Sequence, residues 1–156
     1  MEQVELDDLY RDTILDHFKN PRGRKELDRI DAEHKGYNPI CGDQVTIKAK
    51  FGNGYLEDIA VDSQGCVISV ASGSMLAELL PGKSLKEVQK IAEAFRDMMH
   101  GKELPDDIDF GDLDALEGVK KYHSRIKCAL IAWITLNDLI KARQENETPV
   151  SPSSTE

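Results

Sequence analysis

Three cysteines and one aspartate are the residues whose types and settings could do chemistry in this 156-residue chain. Cys41 lies in Asn38-Pro39-Ile40-Cys41-Gly42-Asp43, a loop flanked by proline and glycine, the kind of irregular segment on which functional groups concentrate. In extended backbone, residues two apart face the same side. Cys41 and Asp43 could therefore direct a thiolate and a carboxylate at one point. Cys66 follows Gly65 at the expected start of a helix, where free N–H groups and the helix dipole favour thiolate. Cys128 is also read as opening a helix, with the cations Arg125 and Lys127 beside it. Each residue has a plainer reading. Cys41 could be a stray surface thiol beside a turn-forming aspartate, and Cys128, which begins an apolar run, could be core filler. Together, three thiols and a carboxylate are donors that zinc accepts tetrahedrally, although no Cys-x-x-Cys pair announces a metal site. Such a set with zinc would carry net negative charge, which Arg125 and Lys127 could offset.

The rest of the sequence narrows the function classes. Lys+Arg number 20 against 29 Asp+Glu, a formal charge of −9. That balance argues against sequence-independent binding to nucleic acid, which needs cations to displace phosphate counterions, and against an anionic membrane surface. The longest apolar run, Cys128 to Ile134, is far short of the roughly 20 residues that span a bilayer. The acidic start Met1-Glu2-Gln3-Val4-Glu5 has no apolar run behind it, so no signal peptide is read. A cytoplasmic location is expected. An odd cysteine count disfavours a disulfide scaffold. His17, His34 and His100 read as structural or solvated; His123, five residues before Cys128, is a minor candidate for the site. No Gly-rich phosphate loop or Ser-His-Asp signature is present.

The elements that must position these residues are legible from periodicity. Leu6, Leu9, Tyr10, Ile14 and Phe18 form one stripe of an amphipathic helix that ends at Asn20-Pro21. A polar stretch to Tyr37 has room for one short edge strand. Val45, Ile47, Ala49 and Phe51 alternate with polar residues, Gly52-Asn53-Gly54 is a turn, and Tyr55 to Val61 returns as the second strand of a hairpin. A helix follows from Gly65-Cys66 to Leu80, its stripe Ser69, Gly73 and Ala77 suiting tight packing on a sheet. Ser84-Leu85-Lys86-Glu87 is a capping box for a helix stopped by Gly101. Leu104 to Gly118 is acidic and reads as solvated surface or a docking segment. The last helix is placed from Lys127 to Arg143. The expected fold is α+β, a small, mostly antiparallel sheet with helices packed on one face. Residues 1–143 form a single domain, and 144–156 form a polar, disordered tail.

Taken in order, Asn38-Pro39-Ile40-Cys41-Gly42-Asp43, Gly65-Cys66-Val67-Ile68-Ser69-Val70-Ala71-Ser72 and Arg125-Ile126-Lys127-Cys128 resemble the IscU/NifU-like proteins of iron–sulfur cluster biogenesis. Leu9-Tyr10 and His17-Phe18-Lys19-Asn20-Pro21-Arg22 fit the same pattern. Lys127 stands where IscU-type scaffolds carry a histidine. The chain between Cys66 and Cys128 is also longer than theirs, through Gly111 to Gly118. Both features are similar to the SufU subgroup; Gly73, where serine or alanine is usual, is a departure. The resemblance implies that Cys41, Asp43, Cys66 and Cys128 ligate Zn²⁺, with Arg125 supporting the site electrostatically. It implies that Cys41 is the catalytic sulfur acceptor of a zinc-dependent sulfurtransferase. Its partners would be a SufS-type, pyridoxal-phosphate-dependent cysteine desulfurase, which supplies persulfide sulfur, and downstream iron–sulfur scaffold proteins. The alternative is a scaffold that assembles a [2Fe–2S] cluster on the same ligands. Lys127 weakens it, because an ammonium cannot replace an imidazole ligand. A non-catalytic module with a structural zinc is a third, weaker reading.

Overall fold

Val45, Ile47, Ala49 and Phe51 turn inward together, and the strand they build is the centre of the sheet. A computed structural model describes residues 8–144 and 153–154. The elements run α1 (Asp8–Lys19), β1 (Ala32–Asn38), β2 (Asp43–Phe51), β3 (Leu56–Gln64), α2 (Val67–Leu79), α3 (Leu85–Met99), a 3₁₀ helix (Gly111–Lys121), α4 (His123–Gln144) and β4 (Ser153–Ser154). The sheet order is β3-β2-β1-β4; β1, β2 and β3 are antiparallel, and β4 lies parallel to β1. This is the expected α+β arrangement, with α2 and α4 on the sheet's apolar face. The tail beyond Gln144 lies outside the described residues except for Ser153–Ser154, which pair with Gly36 and Tyr37.

Between the second and last helices the core is continuous. α2 and α4 each bury ten residues, as expected of helices apolar or small on most faces. Ser72 ties the two together: its hydroxyl donates to the carbonyl of Ala129 (2.6 Å) and accepts from Trp133 Nε1 (3.1 Å). Trp133 in turn meets Phe95 of α3, ring centroids 5.2 Å apart. The small-residue stripe does what tight packing requires. A side chain at Gly73 would collide with Ser63 Oγ and come within 3.2 Å of Val61 Cγ1 on β3. Ser84 caps α3 through its hydroxyl, which accepts from Glu87 N–H (3.1 Å) and donates to Glu87 Oε1 (3.2 Å). Ser84→Ala is expected to lower stability by about 1 kcal/mol, read from the denaturation midpoint at unchanged slope.

Several boundaries and faces differ from expectation. β3 continues to Gln64, three residues past Val61, which brings its end beside Asp43. α4 begins at His123 rather than Lys127. On α1 the inward residues are Ile14 and His17, while Tyr10 and Phe18 are exposed. The apolar stripe drifts there because a buried histidine occupies a position that the hydrophobic pattern assigns to the helix edge. The acidic stretch is not simply solvated: from Gly111 it forms the 3₁₀ helix, which buries Leu113, Ala115, Leu116 and Val119. Among the described residues no helix is long and apolar enough to cross a membrane.

Candidate metal centre

The turn between β1 and β2 carries the first candidate. Asn38 builds it from both its backbone and its side chain: its carbonyl accepts from Gly42 N–H (2.8 Å), and its Oδ1 accepts from Ile40 N–H (3.2 Å). Gly42 has φ +74°, a left-handed conformation that favours glycine. Cys41 and Asp43 are therefore not adjacent same-face residues of an extended strand, as the spacing suggested. They converge because the chain turns between them. Cys41 is half-buried beside Ile40, the most exposed large apolar side chain among the described residues at 64%.

Asp43 opens β2 and is fully buried. The pairing of Gln44 with Gln64 sets the start of β2 beside the end of β3, so Asp43 lies against the Gly65-Cys66 corner. Its Oδ1 accepts from Cys66 N–H (2.9 Å), and its Oδ2 is 4.0 Å from Cys66 Sγ. Cys66 occupies the N-cap of α2 without a side-chain cap of its own. The aspartate from the neighbouring strand meets that helix terminus instead, as a carboxylate should.

Cys128 does not open a helix. It is the sixth residue of α4 and fully buried, so the helix dipole is not what conditions it. Its Sγ lies 3.9 Å from Asn38 Nδ2, from Arg125 Nη1 and from the carbonyl of Ser124. Arg125 is one turn earlier on the same helix, and the i,i+3 spacing lays its guanidinium over the sulfur. The Sγ atoms of Cys41 and Cys128 and a carboxylate oxygen of Asp43 all lie within 4.8 Å of one another. Cys66 lies outside that group and adjoins it through Asp43.

The two thiols titrate apart: the neighbouring Cys128 thiol, with Ser69, brings the Cys66 pKa down to about 6, and the pairing with Cys66 and burial push Cys128 upward. Arg125 is held more firmly protonated by its contact with the Cys128 sulfur. A buried, acceptor-rich pocket with one adjacent guanidinium has the electrostatics of a cation site.

Three of the four sequence candidates, Cys41, Asp43 and Cys128, thus form one potential metal-holding group, and Cys66 lies beside it against Asp43. His123, at the start of α4, is in no potential metal-holding group among the described residues, and Lys127 is half-buried beside Cys128. Sequence reasoning missed Asn38, whose amide touches the Cys128 sulfur, and Ser69, whose Oγ is 3.8 Å from Cys66 Sγ. Asn38 is fully buried, and its place in the loop motif was the one available signal.

Comparison with known proteins identifies the family. The model of the NifU-like N terminal domain matches residues 9–129. The zinc-dependent sulfurtransferase SufU of Bacillus subtilis is 43% identical over 132 residues, covering 84% of this chain and 88% of that protein. The iron-sulfur cluster assembly scaffold protein IscU of Streptococcus pyogenes is 39% identical over 136 residues, covering 87% and 85%. Among solved structures, a candidate iron-sulfur cluster assembly scaffold protein for the SUF system of Fervidobacterium islandicum superposes with a TM-score of 0.77. Its identity is 30%, over 82% of this chain and 93% of that one. The chain belongs to the NifU-like N-terminal domain family, among the IscU- and SufU-type proteins of iron–sulfur cluster assembly.

Proposed function

We propose that this protein is a zinc-dependent sulfurtransferase that accepts persulfide sulfur on Cys41 from a cysteine desulfurase. The observation that carries the reading is the convergence of Cys41, Asp43 and Cys128 within 4.8 Å, with Cys66 against Asp43. Three sulfurs and one carboxylate match zinc in type and number. The donors come prearranged, since Asp43 is fixed by Cys66 N–H and Cys128 by Asn38 and Arg125. Cys41, Asp43, Cys66 and Cys128 would hold the ion. Bound there, zinc favours thiolate at neutral pH and adds no redox chemistry of its own.

The chain's own residues supply the rest. Of the three cysteines, Cys41 is on the loop, half-buried and next to the exposed Ile40 and Tyr37. It is the sulfur that a partner's active-site cysteine can approach. Its thiolate attacks the terminal sulfur of the partner's persulfide. A new S–S bond forms on Cys41 as the partner's S–S bond breaks, and the partner cysteine departs as thiolate. No external oxidant or reductant is needed. Cys66, Cys128 and Asp43 remain behind as an anionic set whose charge Arg125 offsets in part.

The name of the Bacillus subtilis relative and Lys127 favour transfer. The name of the Streptococcus pyogenes relative favours the second reading, a scaffold for a [2Fe–2S] cluster on the same donors. The deciding experiment is sulfide release by a SufS-type desulfurase supplied with cysteine and reductant. Zinc-loaded protein is expected to raise turnover strongly, and chelation of the zinc is expected to remove the gain. Absence of stimulation, with the iron-loaded protein building a cluster under the same conditions, would make it a scaffold.

A further inference from the structure

A second group of metal-type donors sits apart from the cysteines, where α1, α2 and the 3₁₀ helix meet. His17 Nε2 is 2.8 Å from Asp112 Oδ2 and 3.8 Å from Glu78 Oε1, and the three donors all lie within 4.8 Å of one another. We propose that His17, Glu78 and Asp112 form a site for a divalent first-row transition ion.

The imidazole is fully buried, whereas the two carboxylates are about half exposed at 44% and 48%. One rigid nitrogen donor therefore points outward between two oxygen donors that solvent ions can reach. The ring is held from behind. Its Nδ1 is 2.7 Å from Ser74 Oγ, a hydroxyl that also accepts from Arg22 N–H at 2.8 Å. An oxygen on the far ring nitrogen is the usual support of a metal-ligating histidine, fixing ring orientation and tautomer. Glu78 is likewise half committed: its Oε2 accepts from Arg22 Nε (3.0 Å), which leaves Oε1 turned toward His17.

Charge favours a cation as well. Arg22 is shared between Glu78 and Asp16, so the one guanidinium does not neutralise Asp16, Glu78 and Asp112 together. One imidazole with two carboxylates suits zinc, manganese, cobalt or ferrous iron better than magnesium, which prefers oxygen alone. A hydrolytic Ser-His-Asp reading does not fit, because Ser74 is 2% exposed and no substrate can reach it.

The ion would join three elements, pinning the 3₁₀ helix to α1 and α2. The test uses the full chain with one equivalent of zinc bound, titrated with Co²⁺ and followed by visible absorption. The zinc-loaded protein is expected to take up one Co²⁺ with weak d–d bands and no sulfur-to-cobalt charge transfer. Asp112→Asn and Glu78→Gln are each expected to weaken that uptake by roughly 10-fold or more. Both variants should unfold as wild type does in the absence of Co²⁺; His17 is left intact because its loss would empty the core. The readout is cobalt uptake at oxygen and nitrogen donors rather than sulfur transfer, so failure of the sulfur-transfer reading does not imitate failure here. Absence of the second equivalent, or equal uptake by the Asp112→Asn/Glu78→Gln double variant, would overturn the site.

Discussion

Replacing Cys41 with serine is expected to abolish sulfur acceptance and leave the fold intact. The turn that carries Cys41 is held by the carbonyl and side chain of Asn38 and by the left-handed Gly42. These hydrogen bonds do not use the Cys41 sulfur. Serine keeps the shape of the side chain, so the metal-free protein should lose no more than about 1 kcal/mol. The chemistry has no such tolerance. A serine hydroxyl is not ionised at neutral pH and cannot displace a thiolate from a persulfide as a thiolate can. Two measurements on the same preparation check this. After incubation with the desulfurase and cysteine, intact mass should show one added sulfur on wild type and none on Cys41→Ser. Denaturation curves of the two metal-free proteins should nearly coincide. A full persulfide adduct on the variant would assign the acceptor role to Cys66 or Cys128.

Gly65→Ala is expected to empty the cysteine site although all four donors remain in the chain. Gly65 has φ +139°, a region that L side chains rarely adopt, and strain there costs about 1–3 kcal/mol. Space is the second obstacle. A Cβ at this position would overlap Asp43 Oδ1 and lie 2.9 Å from Asp43 Cα, so neither side-chain rotation nor a small shift of a flexible tip relieves it. The strand end at Asp43 and the cap at Cys66 must move apart, breaking the bond between Cys66 N–H and Asp43 Oδ1. A stability loss of about 2–4 kcal/mol follows if strain and the lost buried hydrogen bond add. Zinc content of the purified variant is expected to fall well below one equivalent, with desulfurase stimulation falling in step. A variant that holds one zinc as tightly as wild type would show that Asp43 and Cys66 do not need their present geometry.

The contrast between strands explains how much the sequence reveals. β2 is legible because its inward positions, Val45 to Phe51, are apolar at every second residue. β1 offers no such signal, since its inward positions are His34, Gly36 and Asn38. Gly36 is there because α4 crosses closely: any side chain would strike Thr135 Oγ1. The same close approach brings α4 near enough for Asn38 to reach Cys128. The 3₁₀ helix was hidden for a different reason, its four buried residues being few and interleaved with the charged residues of an acidic stretch. For the site, residue types made Cys41, Asp43, Cys66 and Cys128 candidates and the family resemblance joined them; the folded chain brings Cys41, Asp43 and Cys128 together, with Cys66 against Asp43. They did not suffice to place Cys128, because an apolar run starting at a cysteine looks like a helix start when the helix's first turn is polar. His17 was legible as structural, but its partners Ser74 and Asp112 are 57 and 95 residues away, beyond any local pattern.

Asn38 and Cys128 touch although 90 residues separate them. The cysteine cluster is thus among the last things the chain can assemble. The turn and the helix cap can meet as soon as the hairpin is made, but the third sulfur comes only when α4 docks, closing a loop of much greater length. A nascent, truncated or partly opened molecule presents two thiols and a carboxylate in water, a poor metal trap, and offers Cys41 without its neighbours. Bringing Cys128 to the other donors therefore requires the whole domain to close.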